Sequence, residues 1–333
     1  HKVIIQNSSF SDIHTNATNE VTPGTSGGII GSGSGADIEL ENVTFSGNSL
    51  DNPYQVQGGV LQMNCGHLTA DSISVANTQV SSGHTLGGAV CLFNTEGFTI
   101  ANSEFSGNRV DTTGSAEGGA LYATYRSRWN YDQTFDYAVI ENTSFTDNSV
   151  ASAVVSDRDY DVVGGAVSLY SGAVQKEGSI IKMDASLTDV SFSGNSVTAS
   201  GTNAYGGALG MRKTLDSESD PWPSATLENV TFTNNAASYT GSEEGKSAMG
   251  GAIYNNAVLN LKGENTFTGN SSTHTGGAIH NDGIINFDGS NTFSGNSARE
   301  GRDIYNTGTI NVIGGITTLG EYDDAYAGTS SSE

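Results

Sequence analysis

Two short motifs alternate along this chain, and their regularity restricts it to architectures that stack one unit on the next. A Gly-Gly-small-aliphatic tetrad recurs at Gly27-Gly28-Ile29-Ile30, Gly58-Gly59-Val60-Leu61, Gly87-Gly88-Ala89-Val90 and Gly118-Gly119-Ala120-Leu121. It continues at Gly164-Gly165-Ala166-Val167, Gly206-Gly207-Ala208-Leu209, Gly250-Gly251-Ala252-Ile253 and Gly276-Gly277-Ala278-Ile279, with a worn ninth copy at Gly301-Arg302-Asp303-Ile304. Between the tetrads runs Phe-x-x-Asn: Phe45/Asn48, Phe105/Asn108, Phe145/Asn148, Phe192/Asn195, Phe232/Asn235, Phe267/Asn270 and Phe293/Asn296. The unit beginning at Gly58 keeps only a decayed version around Val75 to Asn77. Self-similarity of this kind marks a repeat architecture.

The period selects among such architectures. Gly250 and Gly276 are 26 residues apart, and Gly276 and Gly301 are 25 apart. One unit reads Ala252-Ile253-Tyr254-Asn255, then Val258-Leu259-Asn260-Leu261, then Asn265-Thr266-Phe267. These short runs alternate with period two and are separated by Gly and Asn, which makes them strands. Three short strands per coil predict an all-β, right-handed parallel β-helix of about nine coils. At about 4.8 Å per coil the rod is on the order of 40–45 Å long. The leucine spacing of leucine-rich repeats is absent.

Register follows from the columns. Ile30, Leu61, Val90, Leu121, Val167, Leu209, Ile253, Ile279 and Ile304 are all aliphatic and form an inward ladder. The next column (Gln62, Cys91, Tyr122, Ser168, Gly210, Tyr254, His280, Tyr305) is mixed and is expected to face solvent. The phenylalanines form an aromatic ladder inside, joined two residues earlier by Val43, Val190 and Val230. The Asn of Phe-x-x-Asn is expected to stack at a bend, its amide pairing with the amides above and below. Asn255, Asn281 and Asn306 make a second such column. Both motifs build the fold and carry no chemistry.

Composition sets further limits. Hydrophobic residues at 35% with a net charge of −23 would by themselves lean toward disorder, but the residue order overrides that reading. With 36 acidic against 13 basic residues, a nucleic-acid partner is excluded, since phosphates are held by clustered Lys and Arg. No run of about 18 apolar residues is present to span a membrane as a helix, and His1-Lys2-Val3-Ile4-Ile5 is no signal peptide. Residues 1–320 are expected to form one β-helix and 321–333 a low-complexity tail. Val3–Phe10 repeats the pattern leading into Phe145, so the chain is expected to start mid-coil, as a segment of a longer protein.

Departures from the period are where function is expected, because the rungs are fixed by packing. From the first Gly of a tetrad to the next Phe the spacing is 17 or 18 residues in regular coils, but 27, 28 and 26 after Gly118, Gly164 and Gly206. The other arm, from Phe to the next tetrad, grows to 19 after Phe145 and 18 after Phe232, against 8 or 9 near the C-terminus. Stacked, these insertions (122–141, 151–163, 168–189 and 210–228) form one platform on one side of the rod. Tyr125, Arg126, Arg128, Trp129, Tyr131, Phe135, Arg212 and Trp222 are the candidate ligand-contacting residues, since Tyr, Trp and Arg most often anchor partners. The alternative is that they staple their own loops to the rod.

Other chemical signals are weak. Asp157-Arg158-Asp159-Tyr160-Asp161 alternates carboxylates but lacks the central Gly and distal Glu of a calcium loop, Ser168 standing at that place. Polysaccharide lyases and hydrolases share the scaffold but need paired carboxylates in a groove, and such pairs are missing from the strand positions. His67 and His84 are isolated, and no histidines have metal-ligand spacing. No catalytic residue, metal or cofactor is expected. Cys65 and Cys91 lie out of line by three residues and with opposite parity, which argues against a disulfide.

The alternation of Gly-Gly-Ala-(Ile/Leu/Val) with Phe-x-x-Asn resembles the repeat pair of the chlamydial polymorphic membrane proteins and related autotransporter passenger domains. The resemblance covers nearly the whole chain. It implies a β-helix exported through a C-terminal outer-membrane translocation barrel to the bacterial cell surface, or released from it, and serving there as an adhesin in virulence. It also implies partners: a host-surface protein or glycan, or the same protein on another cell. The barrel is absent from this sequence, as expected of a passenger segment. The alternative function is a polysaccharide-active β-helix enzyme.

Overall fold

A computed structural model describes residues 1–16, 25–125, 135–153, 161–172, 174–176, 179–214 and 222–319. Among them the chain winds through three sheets of sixteen, thirteen and nine strands. One turn shows the path. Leu121–Tyr125 lies in the nine-stranded sheet, Tyr137–Glu141 and Ser144–Thr146 in the sixteen-stranded sheet, and Ser149–Ser152 and Val162–Val163 in the thirteen-stranded sheet. Val167–Gly172 then returns beside Leu121–Tyr125, Leu121 pairing with Val167 and Val167 with Leu209. Every pairing among the described strands is parallel except a hairpin of Val174–Lys176 with Ser179–Ile181 inside one insertion. The chain is a parallel β-helix, as its period predicts. Two of the three sides are each broken by a bend, so a coil holds up to five short strand segments rather than three.

The core is one continuous column. The aliphatic ladder from Leu61 to Ile304 is at most 5% exposed at every rung. Successive phenylalanine rings stack nearly parallel, with centroids 5.0 Å apart for Phe105–Phe145 and Phe145–Phe192, 4.8 Å for Phe192–Phe232, 5.0 Å for Phe232–Phe267 and 4.6 Å for Phe267–Phe293. That spacing is set by the strand separation of about 4.8 Å, so ring stacking and backbone pairing reinforce one another. Among the described residues, the aliphatic side chains left largely exposed are Val3 and Ile4 in the first coil and Val312, Ile313 and Ile316 in the last.

The asparagine ladder runs at the bend after each phenylalanine. Asn148 Nδ2 donates to Asn195 Oδ1 at 3.0 Å and Asn195 Nδ2 to Asn235 Oδ1 at 3.0 Å, and each Nδ2 also donates to a phenylalanine carbonyl of the preceding coil. Each Oδ1 accepts a second bond from the backbone N–H of the asparagine before it. The buried amide is thereby satisfied on both ends. The residue just before each asparagine takes a left-handed φ (Asp147 at 55°, Gly194 at 67°), a geometry open to Gly, Asn and Asp. The second column repeats the device, Asn255 Nδ2 donating to Asn281 Oδ1 at 2.6 Å and Asn281 Nδ2 to Asn306 Oδ1 at 2.5 Å.

The phenylalanine ladder and the Phe-x-x-Asn ladder share one gap, in the coil with the decayed motif. Val75 pairs in register between Phe45 and Phe105, and Thr78 occupies the asparagine place, its backbone N–H donating to Asn108 Oδ1 at 3.0 Å. Thr78 Oγ1 is buried without a hydrogen-bond partner. Thr78→Asn is expected to place an acceptor beside Asn48 and raise stability by about 1–2 kcal/mol, the worth of one or two restored bonds. An unchanged or lower midpoint in chemical denaturation would show that the gap costs nothing.

Candidate functional site

The Gly-Gly turns fold the thirteen-stranded sheet sharply onto the nine-stranded one. Gly164 has φ +65°, and a Cβ there would lie 2.1 Å from the Val167 carbonyl oxygen. This tight corner places the residue preceding a tetrad over the outward faces of the strand that follows and of its neighbour in the next coil. The outward column expected to face solvent is consequently covered: Gln62, Cys91, Tyr122, Ser168, Tyr254 and His280 are all buried, and only Tyr305, in the last tetrad, is half-exposed. The contacts name the cover. Ser168 Oγ donates to Glu117 Oε2 at 3.1 Å, a Cβ on Gly210 would strike the Val163 side chain, and the Tyr205 ring lies 4.5 Å from that of Tyr254. Alternation separates inward from outward, but it does not show that a neighbouring sheet roofs the outward side.

The result is a covered seam with aromatic walls and paired charges. Tyr205, Tyr254, His280 and Tyr305 follow one another up the rod at 4.5, 5.6 and 5.1 Å. Arg212 lies 5.5 Å above the Tyr170 ring, 3.8 Å from Glu117 and 3.9 Å from Asp161. Burial disfavours its charge, but the two carboxylates outweigh that and raise its pKa. Burial and then the nearby carboxylates push the Tyr205 and Tyr254 phenols up, so they stay protonated donors. Asp282 accepts from Tyr254 Oη at 2.9 Å and Thr307 Oγ1 at 2.5 Å, and lies 3.0 Å from His280 Nε2. Burial opposes its ionisation, but the bonds from His280, Thr307 and Tyr254 hold it down at about 2.

The expected site residues distribute unevenly around this seam. Arg212 is in it. Trp222 meets the neighbour of Arg212, its ring face covered by the Lys213 ammonium, which burial pushes down to about 8. Tyr125 is 1% exposed and belongs to the interior, where Phe135 packs on it at 5.3 Å; neither ring is a freely presented anchor. Arg126, Arg128, Trp129 and Tyr131 lie outside the described residues, as do Asp157 to Tyr160. Cys65 and Cys91 are buried thiols not joined to each other, and burial raises the Cys91 pKa far above the reactive range. Among the described residues, no group of three or more His, Cys, Asp and Glu could hold a metal ion. Sequence reasoning missed Glu117, Tyr170, Tyr205, Tyr254, His280 and Asp282; the signal was a column rich in Tyr, His and Gly rather than in the Ser, Thr and Lys of a washed face.

The insertions are rooted along this seam. They leave the ends of three adjacent strands, Leu121–Tyr125, Val167–Gly172 and Leu209–Thr214, which pair in register. Stacked ladders, a covered seam and insertions rooted on neighbouring rungs define a repeat-built β-helix. The chain bears repeats of the Chlamydia polymorphic membrane protein type, that family's repeat matching at residues 229–256 and 266–282. Both matched segments contain a Phe-x-x-Asn motif and a complete Gly-Gly-Ala-Ile tetrad. That family is outer-membrane and surface associated, which supports a surface location in general terms. Neither the curated proteins nor the solved structures give a match.

Proposed function

We propose that this chain is a cell-surface adhesin segment, the passenger part of an autotransporter-type protein. The insertions of its central coils would attach to a host-surface protein or glycan, or to the same protein on another cell. The observation that carries the reading is the common root of the three insertions on adjacent, in-register strands beside an aromatic seam. Aromatic and arginine side chains on a fixed shaft suit partner anchoring, and a net charge of −23 favours steering by basic partner surfaces.

A polysaccharide-active enzyme is the competing reading, and one arrangement invites it: Thr275 Oγ1 lies 2.8 Å from His280 Nδ1, with Asp282 on the other ring nitrogen. The neighbouring backbone donors are already engaged, however. The N–H groups of Gly276, Gly277 and Ala278 donate to the carbonyls of Glu300, Gly301 and Asp303, so they do not form an oxyanion site. The arrangement reads as polar packing of the seam. Trp129→Ala combined with Trp222→Ala is expected to leave circular dichroism intact and to cut retention on a glycan and matrix-protein array several-fold. Unchanged retention would remove these loops as the site, and product formation from a glycan would favour the enzyme.

A further inference from the structure

His67 begins the strand His67–Asp71, and its ring reaches one residue of the preceding coil and others beyond the next coil. Nδ1 is 3.1 Å from Asp37 Oδ1, an oxygen that also accepts the His67 backbone N–H at 3.0 Å. Nε2 is 3.1 Å from Asp136 Oδ2, beyond the next coil. The rung between is Gly97, which pairs with His67 on one side and Tyr137 on the other. A Cβ on Gly97 would lie 3.2 Å from His67 Cδ2 and 3.1 Å from the Tyr137 carbonyl oxygen, so the missing side chain is what lets the ring cross that rung. Tyr137 flanks the imidazole at 5.9 Å. Asp136 lies at the foot of the first insertion, one residue after Phe135, and its N–H donates to the Glu96 carbonyl at 2.7 Å.

The geometry determines the charge. Carboxylate oxygens only accept, so both ring nitrogens can be satisfied only if both carry a hydrogen, and that ring is imidazolium. A neutral ring has one N–H and turns a lone pair toward the other carboxylate. We infer that His67 is a proton-operated clasp: protonated, it fastens the foot of the first insertion at Asp136 to the coils carrying Asp37 and His67, and deprotonation releases one of the two grips. The clasp stands on this geometry alone; its bearing on attachment rests on the adhesin reading.

The groups facing the ring are Asp37, Asp136, Glu96 and Tyr137, with Glu39 nearby and paired to Lys2 at 2.5 Å. Burial favours the neutral ring, but the hydrogen bonds to Asp136 and Asp37 outweigh it and raise the His67 pKa above 6.5. Burial likewise works against the Asp37 charge, and the bonds from His67 outweigh it and lower that pKa below 3.8. The His67 contribution is therefore complete below 6.5 and is lost as pH rises through its raised value. The Asp37 contribution is present above 3.8 and is lost as pH falls through its lowered value. The clasp is closed between the two.

Hydrogen exchange on the soluble chain, without any partner, tests this independently of whether the insertions attach to anything. Protection factors at the Asp136 and Tyr137 amides are expected to fall several-fold, up to about tenfold per unit of pKa elevation, between about pH 5.5 and about pH 8. In His67→Gln, which cannot be charged, they are expected to be low at both. Equal protection of the wild type at both pH values, or a His67 resonance titrating at or below 6.5, would overturn the inference. Should His67→Gln fail to fold, Asp136→Asn and the wild-type titration decide it: the clasp requires a lower His67 pKa in that variant.

Discussion

Gly165→Ala is expected to break the stack at its middle, costing more than about 4 kcal/mol, the range reserved for substitutions with no room to relax. A Cβ at Gly165 would lie 2.1 Å from the Gly207 carbonyl oxygen of the next coil and 2.5 Å from that of Ser196. Both obstacles are backbone, and both belong to a ladder. Moving Gly207 away would also pull Gly165 N–H from the Gly206 carbonyl, which accepts it at 3.1 Å. In a solenoid each coil is held by its neighbours alone, so the loss concentrates at one interface, and the halves on either side part there. Gly35→Ala is the matched control. Gly35 also resists a side chain, with φ +79°, yet nothing lies within 4 Å of its would-be Cβ, and its cost is the backbone strain of roughly 1–2 kcal/mol. Thermal unfolding by circular dichroism, with proteolysis mapped along the chain, separates the two. A Gly165→Ala protein that melts with Gly35→Ala would show that the corner has slack which the packing denies.

The contrast between these glycines bears on what could be read from the residues alone. The inward columns were legible because each rung places the same chemistry at the same place: Phe145, Phe192 and Phe232 stack because a parallel in-register ladder superposes equals. The asparagine ladder was legible for the same reason, down to its gap near Val75. The seam was not. Tyr122, Tyr254 and His280 alternate like solvent-facing residues, and their burial depends on the corner angle at the Gly-Gly turn, which period-two patterning does not encode. The His67 clasp was less accessible still. Its partners lie 30 and 69 residues away, and the feature that joins them is the side chain Gly97 lacks. Of the expected site residues, Tyr125 ends strand Leu121–Tyr125 buried in the core, a placement that the spacing of the insertions does not encode.

Asn195→Ala is expected to cost about 3–6 kcal/mol, by leaving buried groups unpaired rather than by removing volume. The side chain is fully buried at the centre of its ladder. Its Oδ1 accepts from both Asn148 N and Asn148 Nδ2 at 3.0 Å, and its Nδ2 donates to the Phe145 carbonyl at 2.9 Å and to Asn235 Oδ1 at 3.0 Å. Alanine removes all four bonds at a fully buried rung: the Asn148 N–H and the Phe145 carbonyl lose this partner, while Asn148 Nδ2 keeps the Phe105 carbonyl and Asn235 Oδ1 keeps the Asn195 N–H. Asn195→Asp distinguishes this account from a packing one, since it keeps the shape and one acceptor but loses the donor. As a carboxylate it would face the Phe145 carbonyl and Asn235 Oδ1 with no hydrogen to offer; protonated, it regains one. Burial and those two acceptors would raise its pKa in the folded state, so the penalty should be full above that raised value and fade as pH falls toward the ordinary Asp range. Asn296, at the last rung of the ladder, makes the same kind of bonds to Phe267 and Asn270 and donates to Asp303 Oδ1 in place of a further asparagine, but at 7% exposed it is nearer to solvent, so water can replace part of what Asn296→Ala removes. Chemical denaturation of the three variants at two pH values is then expected to rank Asn195→Ala as the most damaging, Asn195→Asp as pH-dependent and Asn296→Ala as mildest. Equal losses at rungs 195 and 296, or an Asn195→Asp penalty indifferent to pH, would mean that the ladder stabilises the coils by filling space and not by its amides.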